Sequence, residues 1–267
     1  MISNPPLTPA QEELAQLLAA ARREGRNAAA LPPALVPADR ATAYNIAERV
    51  AALLGWEHGG WKVAATNTDM QQRLRSAEPI YGRVFRQFIL SSPAELPFAD
   101  LVTPLVECEF AMTMGQALPP RPGPYSREEV ADAVAAVHPA IEVAQCRFRD
   151  ADLPPIEGVL ADGSASGHLI LGEGCTDWRL LDLAAMPVTL YTDGRLRRQG
   201  SGADAMGHPL NVLHWLANAR AAFGDGLKVG DVISTGTCTR MIPPRAGEEH
   251  VGDFGELGKV EVRFIAS

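Results

Sequence analysis

The stretch Leu105-Val106-Glu107-Cys108-Glu109-Phe110 (LVECEF) sets two carboxylates one residue apart inside a run of strand-forming residues. Successive side chains on a strand point to opposite faces, so Glu107 and Glu109 share one face. Val106, Cys108 and Phe110 take the other, which reads as the core side. Two like charges side by side destabilise a strand unless something offsets them. Either this face is wet, or the two acids hold a cation.

A second stretch, HPAIEVAQ, repeats the pattern. Ile141 and Val143 share one face, and Glu142 and Ala144 emerge on the other. The two strands are joined by a segment with helical spacing, and elements adjacent in sequence tend to lie together in space. Glu107, Glu109 and Glu142 can then converge, and three close carboxylates raise one another's pKa values unless a cation neutralises them. Oxygen ligands without His or Cys favour Mg²⁺, Mn²⁺ or Ca²⁺ over Zn²⁺. The plainer alternative is that Glu142 faces water or pairs with an Arg. Lys62, in GGWKVAA, stands mid-strand between Trp61 and Val63. On an edge strand it would snorkel to solvent. Beside a carboxylate site it would balance charge, hold an anionic substrate or move a proton. Three carboxylates, one divalent ion and one lysine sum to zero charge, which would admit an anionic substrate.

Around these segments the chain reads as α+β. Residues 1–79 form a mainly helical N-terminal lobe and residues 80–267 a β-rich domain. Thr8-Pro9-Ala10-Gln11 is a capping box with Pro at the first helical position, and this helix runs to Gly25. A second runs from Asp39 to Gly55, then come a short strand over Trp61–Ala65 and a brief helix over Met70–Leu74. Further strands are expected at Ile80–Phe85, Leu105–Thr113, Ala140–Phe148, His168–Leu171, Val188–Tyr191, Val232–Thr235 and Val260–Ile265. Ser126 opens a helix carrying Val130, Ala133, Val134 and Val137 at helical spacing, and Pro209 opens another that stops at Gly224. Asp193-Gly194 marks a hairpin. Strands and helices do not alternate, which argues against a doubly wound parallel sheet.

Composition and motifs narrow the function. A net charge of -8, from 24 basic and 32 acidic residues, with no basic stripe, argues against nucleic acid. No apolar run approaches the roughly 20 residues of a membrane span. The N-terminus lacks the basic-then-apolar pattern of a secretion signal, and Cys108, Cys146, Cys175 and Cys238 are scattered without C-x-x-C spacing. A cytoplasmic protein with reduced thiols is therefore expected. ADGSASGH resembles a nucleophile elbow, but the Ser position of G-x-S-x-G is Ala165. None of the six His residues forms a close metal pair, and no strand–G-x-G-x-x-G–helix unit is present.

Six blocks in order, GWKVAATNTDMQ, EPIYGRVF, VECEFAM, HPAIEVAQCRF, LADGSASGHLILG and the long C-terminal block containing GLKVGDVISTGT and DFGELG, span nearly the whole chain. Together they resemble the hydratase and decarboxylase branch of the fumarylacetoacetate hydrolase superfamily, whose members include 2-keto-4-pentenoate hydratases and 4-oxalocrotonate decarboxylases of aromatic catabolism. The resemblance implies a mixed β-roll with a smaller N-terminal lobe, a homo-oligomer, and association with a paralogous pathway enzyme. It implies a metal-dependent lyase with Mg²⁺ or Mn²⁺ held by Glu107, Glu109 and Glu142, chelating the 1-carboxylate and 2-oxygen of a 2-keto or 2-hydroxy acid. Lys62 and Asp162 match catalytic positions, and Thr235, Gly236 and Thr237 match a substrate-binding turn. Water addition to a short 2-hydroxy-2,4-dienoate is the expected reaction. Decarboxylation, C–C hydrolysis and a non-catalytic partner role are the alternatives; hydrolysis would need a His–acid pair that the sequence does not offer. Two positions depart from the pattern. Ile80 stands where relatives commonly carry Asp, and Gly163 replaces a usual Asn.

Overall fold

The computed structural model describes residues 5–266. The first two helices are α1 (Pro9–Arg23) and α2 (Arg40–Leu54). In the first, Thr8 Oγ1 accepts from the Gln11 N–H and the Gln11 side chain accepts from the Thr8 N–H at 2.8 Å, the reciprocal cap its sequence predicts. Asp39 caps the second through the Thr42 N–H at 2.8 Å, and Gly55, at φ +65°, ends it. Leu14 and Leu18 of α1 and Ile46 and Val50 of α2 are buried in the common core.

The remaining elements are β1 (His58–Ala64), α3 (Thr68–Leu74), β2 (Ile80–Phe85), β3 (Ile89–Ser91), β4 (Ala94–Pro97), β5 (Pro104–Met114), α4 (Arg127–Asp132) and β6 (Val134–Gln145). There follow α5 (Ile156–Ala161), β7 (His168–Leu171), β8 (Pro187–Thr192), β9 (Arg195–Ser201), α6 (Pro209–Phe223), β10 (Val232–Ser234), β11 (Glu249–Asp253) and β12 (Lys259–Ile265). They build two mixed sheets, one of seven strands in the order β2-β1-β10-β5-β6-β7-β3 and one of five in the order β4-β12-β11-β8-β9. The β8–β9 hairpin turns at Asp193-Gly194, as expected. No helix among the described residues is long and apolar enough to cross a membrane.

The strand LVECEF lies inside β5, near the middle of the larger sheet. Its apolar face meets the smaller sheet: the Phe110 ring packs edge-on against Phe254 with centroids 5.1 Å apart. That packing commits Glu107 and Glu109 to the opposite face. β1 is internal, between β2 and β10, so Lys62 has no edge from which to reach solvent. The strand also lies N-terminal to residue 79, so the larger sheet begins within the span assigned to the helical lobe. β1 runs parallel to β10 and very close to it. A Cβ at Gly60, whose φ is +152°, would lie 1.9 Å from the Val232 carbonyl oxygen, so only glycine allows this pairing.

The structure corrects one element. The helix expected from Ser126 through Val137 stops at Asp132, and Val134 and Val137 belong to β6. The Ser126–Glu129 capping box forms as expected. Beyond it, Ala136 and Val137 pair with Thr113 and Met112 of β5, and this long ladder overrides the local helical spacing. Consequently β6 begins earlier than the expected Ala140 and ends at Gln145 rather than Phe148.

Candidate metal centre and cleft

Register brings the acids together. Glu107 and Glu142 are direct cross-strand partners in the antiparallel β5–β6 pair, so both project from the same face. Glu109 follows two residues along β5. On the other side of β5 lies β10, where Ser234 is the partner of Ala111, and beyond it β1, where Lys62 is the partner of Ser234. Four adjacent strands thus deliver Lys62, Ser234, Glu107, Glu109 and Glu142 to one patch. One carboxylate oxygen from each glutamate lies within 4.8 Å of the other two. Glu107, the most exposed of the cluster, is only 5% exposed.

The hydrogen bonds show what these groups lack. Lys62 Nζ lies 3.1 Å from Glu142 Oε1. Glu109 Oε2 accepts from the Ser234 hydroxyl and, at 2.8 Å, from the Gly236 N–H. The other Glu142 oxygen, Oε2, is buried and has no hydrogen-bond partner among the described residues. An orphaned carboxylate oxygen inside a protein is strongly destabilising, and here it points to a cation. Three carboxylates with no His or Cys suit a hard divalent ion with oxygen ligands. The residues fit.

Electrostatics agree. Burial, reinforced by the charge of Glu142, pushes Glu107 up to about 7, against the opposing pull of Lys62 and the Thr237 hydroxyl. Burial and then the charges of Glu142 and Glu107 push Glu109 well above the carboxylate range. Burial is also the largest influence on Lys62 and pulls it down, yet the summed carboxylate charges win and hold it above its ordinary value. These shifts give a testable sign. Metal-free, folded Glu107 releases its proton near 7 rather than at its ordinary 4.5, so between those values the folded state holds more protons than the unfolded. The contribution of this group to stability is full below the lower value and is lost as pH rises through the upper one. Metal-free protein is therefore expected to melt at a lower temperature near pH ~8 than near pH ~6, and saturating Mg²⁺ to remove the difference by binding the ionised folded cluster. Calorimetry at both pH values checks this; a melting temperature that climbs with pH in the metal-free protein would contradict it.

Glu107, Glu109 and Lys62 line a cleft, with Glu142 buried behind them against Lys62. Its walls are mostly apolar, with Leu105, Ile80 and Ala144 from the sheet, Met70 and Leu74 from α3, and Met241 from the loop after β10. Cys146 also lines it, but burial pushes its thiol up to about 11, so it stands there as a small neutral group. Of the three residues expected to bind substrate, only Thr237 lines the cleft. Thr235 turns to β5, where its hydroxyl and its N–H both donate to the Phe110 carbonyl at 2.8 and 3.0 Å. The Gly236 N–H is already given to Glu109, and a Cβ there, at φ +86°, would lie 2.3 Å from Thr66 Oγ1.

Asp162 does not line the cleft either. It is fully buried, and Arg147 Nε donates to its two oxygens at 2.9 and 3.1 Å. Its neighbours Ser164 and Ala165 do face the cleft, and the Ser164 hydroxyl donates to the Tyr81 carbonyl at 2.6 Å. Ser164, Ser234 and Arg147 went unmarked in the sequence. The available signal was proximity: Ser234 and Ser164 sit in the same blocks as Thr235 and Asp162.

The surrounding chain has recognisable kin. Residues 67–265 match the C-terminal family of fumarylacetoacetate (FAA) hydrolase. A 2-keto-4-pentenoate hydratase from Paraburkholderia phymatum is 30% identical over 256 residues, covering 95% of this chain and 97% of that protein. A 2-oxo-hept-4-ene-1,7-dioate hydratase from Escherichia coli is 28% identical over 77% of this chain and 78% of its own. Among solved structures, the 4-oxalocrotonate decarboxylase of Pseudomonas putida G7, complexed with magnesium and adipate, superimposes with a TM-score of 0.90 at 25% identity, over 98% of this chain and all (100%) of that one. With the family match running from α3 to the last strand and the likeness to the hydratase running nearly end to end, the chain belongs to the fumarylacetoacetate hydrolase family.

Proposed function

We propose that this protein is a divalent-metal-dependent hydratase of short 2-hydroxy-2,4-dienoates, of the 2-keto-4-pentenoate type, acting in aromatic catabolism. The observation that carries the reading is the buried Glu107–Glu109–Glu142 cluster, with its orphaned oxygen and its lysine, reached from a mostly apolar cleft that Glu107, Glu109 and Lys62 line. The likeness to 2-keto-4-pentenoate hydratases over nearly the full chain supports the choice of substrate. Glu107, Glu109 and Glu142 would hold Mg²⁺ or Mn²⁺, and such an ion, when bound, stabilises negative charge on a substrate oxygen. Lys62, held charged against Glu142, is placed to give its proton to the diene carbon and to regain one from the 2-hydroxyl. Ile80, Leu105 and Met241 offer the hydrocarbon part a dry surface, and Thr237 offers a hydroxyl at the cleft wall. Asp162 is assigned a positioning role, because its carboxylate is held by arginine. A cytoplasmic homo-oligomer belongs to the same reading, supported by four free cysteines and the family.

One observation favours a second reading. Ile80 lines the cleft and offers no proton or water-orienting oxygen. Decarboxylation of a 4-oxalocrotonate-type 2-keto acid requires no activated water, and the decarboxylase fold superimposes closely. Both readings are tested by the ultraviolet decay of freshly generated 2-hydroxypenta-2,4-dienoate. Decay faster than spontaneous ketonisation, dependent on Mg²⁺, abolished by chelator and yielding the hydrated keto acid, is expected. If that substrate is untouched while the oxalocrotonate substrate loses carbon dioxide, the second reading replaces the first.

A further inference from the structure

The turn that brings Ser164 and Ala165 to the cleft is held from outside by a residue of the N-terminal helix. Three successive residues, Gly163, Ser164 and Ala165, adopt left-handed backbone at φ +78°, +56° and +58°. For the two that carry a Cβ this conformation costs on the order of 1 kcal/mol each, so the turn keeps its shape only under external constraint. Two guanidinium groups supply constraint. Arg147 grips the Asp162 carboxylate and donates to the Ser166 carbonyl through both Nη1 and Nη2 at 3.1 Å. Arg22, in the last turn of α1, donates through Nη2 to the Asp162 carbonyl, and its Nε lies 3.7 Å from Asp162 Oδ1. The two ends of the turn, at residues 162 and 166, are therefore both held by arginine.

Gly163 makes the arrangement feasible. A Cβ at this position would lie 2.9 Å from Arg22 Nη2, so a side chain there competes for the space that the guanidinium occupies. Arg22 is itself almost wholly buried, at 6% side-chain exposure, although Asp162 already has Arg147 as a partner. A second buried arginine on one carboxylate is electrostatically redundant: burial and the Arg147 charge together bring Arg22 down to about 9. Its place is explained by the Asp162 carbonyl that it holds closely and that Arg147 Nη2 reaches only at 3.4 Å.

We propose that Arg22 is a positioning residue for the active-site cleft: through the Asp162 carbonyl, and through the space left by Gly163, it clamps the 163–165 turn in the conformation that presents Ser164 and Ala165 to substrate. The proposal rests on the cleft being the active site, as argued above. It also makes the N-terminal helix part of the catalytic architecture.

The test uses the full-length, Mg²⁺-loaded protein and its Arg22→Met, Arg22→Lys and Gly163→Asn variants, with hydrogen–deuterium exchange and steady-state kinetics on the dienoate. In Arg22→Met, exchange over residues 162–167 is expected to rise on the order of tenfold while β1 and β5 stay protected. The value of kcat is expected to fall on the order of tenfold or more, with Mg²⁺ affinity within about twofold of wild type. Arg22→Lys, which retains a donor for the carbonyl, should recover most of both losses, and Gly163→Asn should reproduce them. Unchanged exchange at 162–167 in folded Arg22→Met overturns the clamp, as does raised exchange with unaltered kcat. An inactive wild-type protein would instead count against the assigned reaction. Pyruvate titrated in the presence of Mg²⁺ then decides the clamp: weaker binding to Arg22→Met supports it, and equal binding overturns it.

Discussion

Glu107→Gln combined with Glu109→Gln is expected to remove metal-stimulated turnover, with a loss on the order of 10³-fold or more. The figure follows from the several kcal/mol that a Lewis acid contributes to charge stabilisation, at about 1.4 kcal/mol per factor of ten. The amide is nearly isosteric with the carboxylate, so the strand packing at Cys108 and Phe110 is untouched. What disappears is charge. With two carboxylates neutralised, Glu142 is left to Lys62 alone at 3.1 Å, a pair with no net attraction for a cation. Stability is expected to move the other way. Burial and the charge of Glu142 raise both Glu107 and Glu109, so the metal-free double variant should melt no lower than metal-free wild type. Titration calorimetry with Mg²⁺ and a thermal melt, run beside the rate assay, check both halves. Metal stimulation that survives in the double variant would exclude these glutamates as the ligands.

Lys62→Met carries the second large effect and separates proton transfer from metal binding. Removing a proton carrier placed at the reacting group is expected to lower kcat by roughly 10²- to 10⁴-fold. Affinity for Mg²⁺ should hold or increase, because a positive charge leaves the neighbourhood of three carboxylates. In the metal-free protein the change also strips Glu142 of its ion-pair partner in a site where Oε2 already has none. Loss of one member of a buried pair costs about 3–5 kcal/mol, so metal-free Lys62→Met should be markedly less stable, and much of that loss should return with Mg²⁺. A variant with near-normal kcat would show that Lys62 balances charge and does not move the proton.

The centre of the site was legible because its logic is local. Alternation along LVECEF and HPAIEVAQ puts Glu107 and Glu109 on one face and Glu142 on the face opposite Ile141, and the β5–β6 register does the rest. Capping boxes at Thr8 and Ser126 located two helix starts for the same reason. What escaped depends on partners remote in sequence. The Phe110 carbonyl accepts from both donors of Thr235, and Glu109 accepts from the Gly236 N–H, contacts that no local spacing reveals. Asp162 matches a catalytic position, and its place beneath Arg147 and Arg22, off the cleft wall, is set by residues remote in sequence. Val134 and Val137 fit a helix until β5 offers a longer ladder. β11, with the sequence EHVGD, has few strand-forming residues and is held as a strand by β8 on one side and β12 on the other.

The order of strands also determines when the acidic cluster is compensated. Its glutamates ride on β5 and β6 and its lysine on β1, and β5 meets β1 only through β10, which lies late in the chain. A growing polypeptide released as far as α6 can pair β5 with β6, but Lys62 has no bridge to the glutamates, and Ser234 and Gly236 have yet to reach Glu109. Charge compensation is thus deferred until a long-range closure is made, the kind of step that slows folding. A divalent ion, whose ligands all lie on β5 and β6, can neutralise the paired strands before that closure, and in the finished protein it acts as a brake on global unfolding.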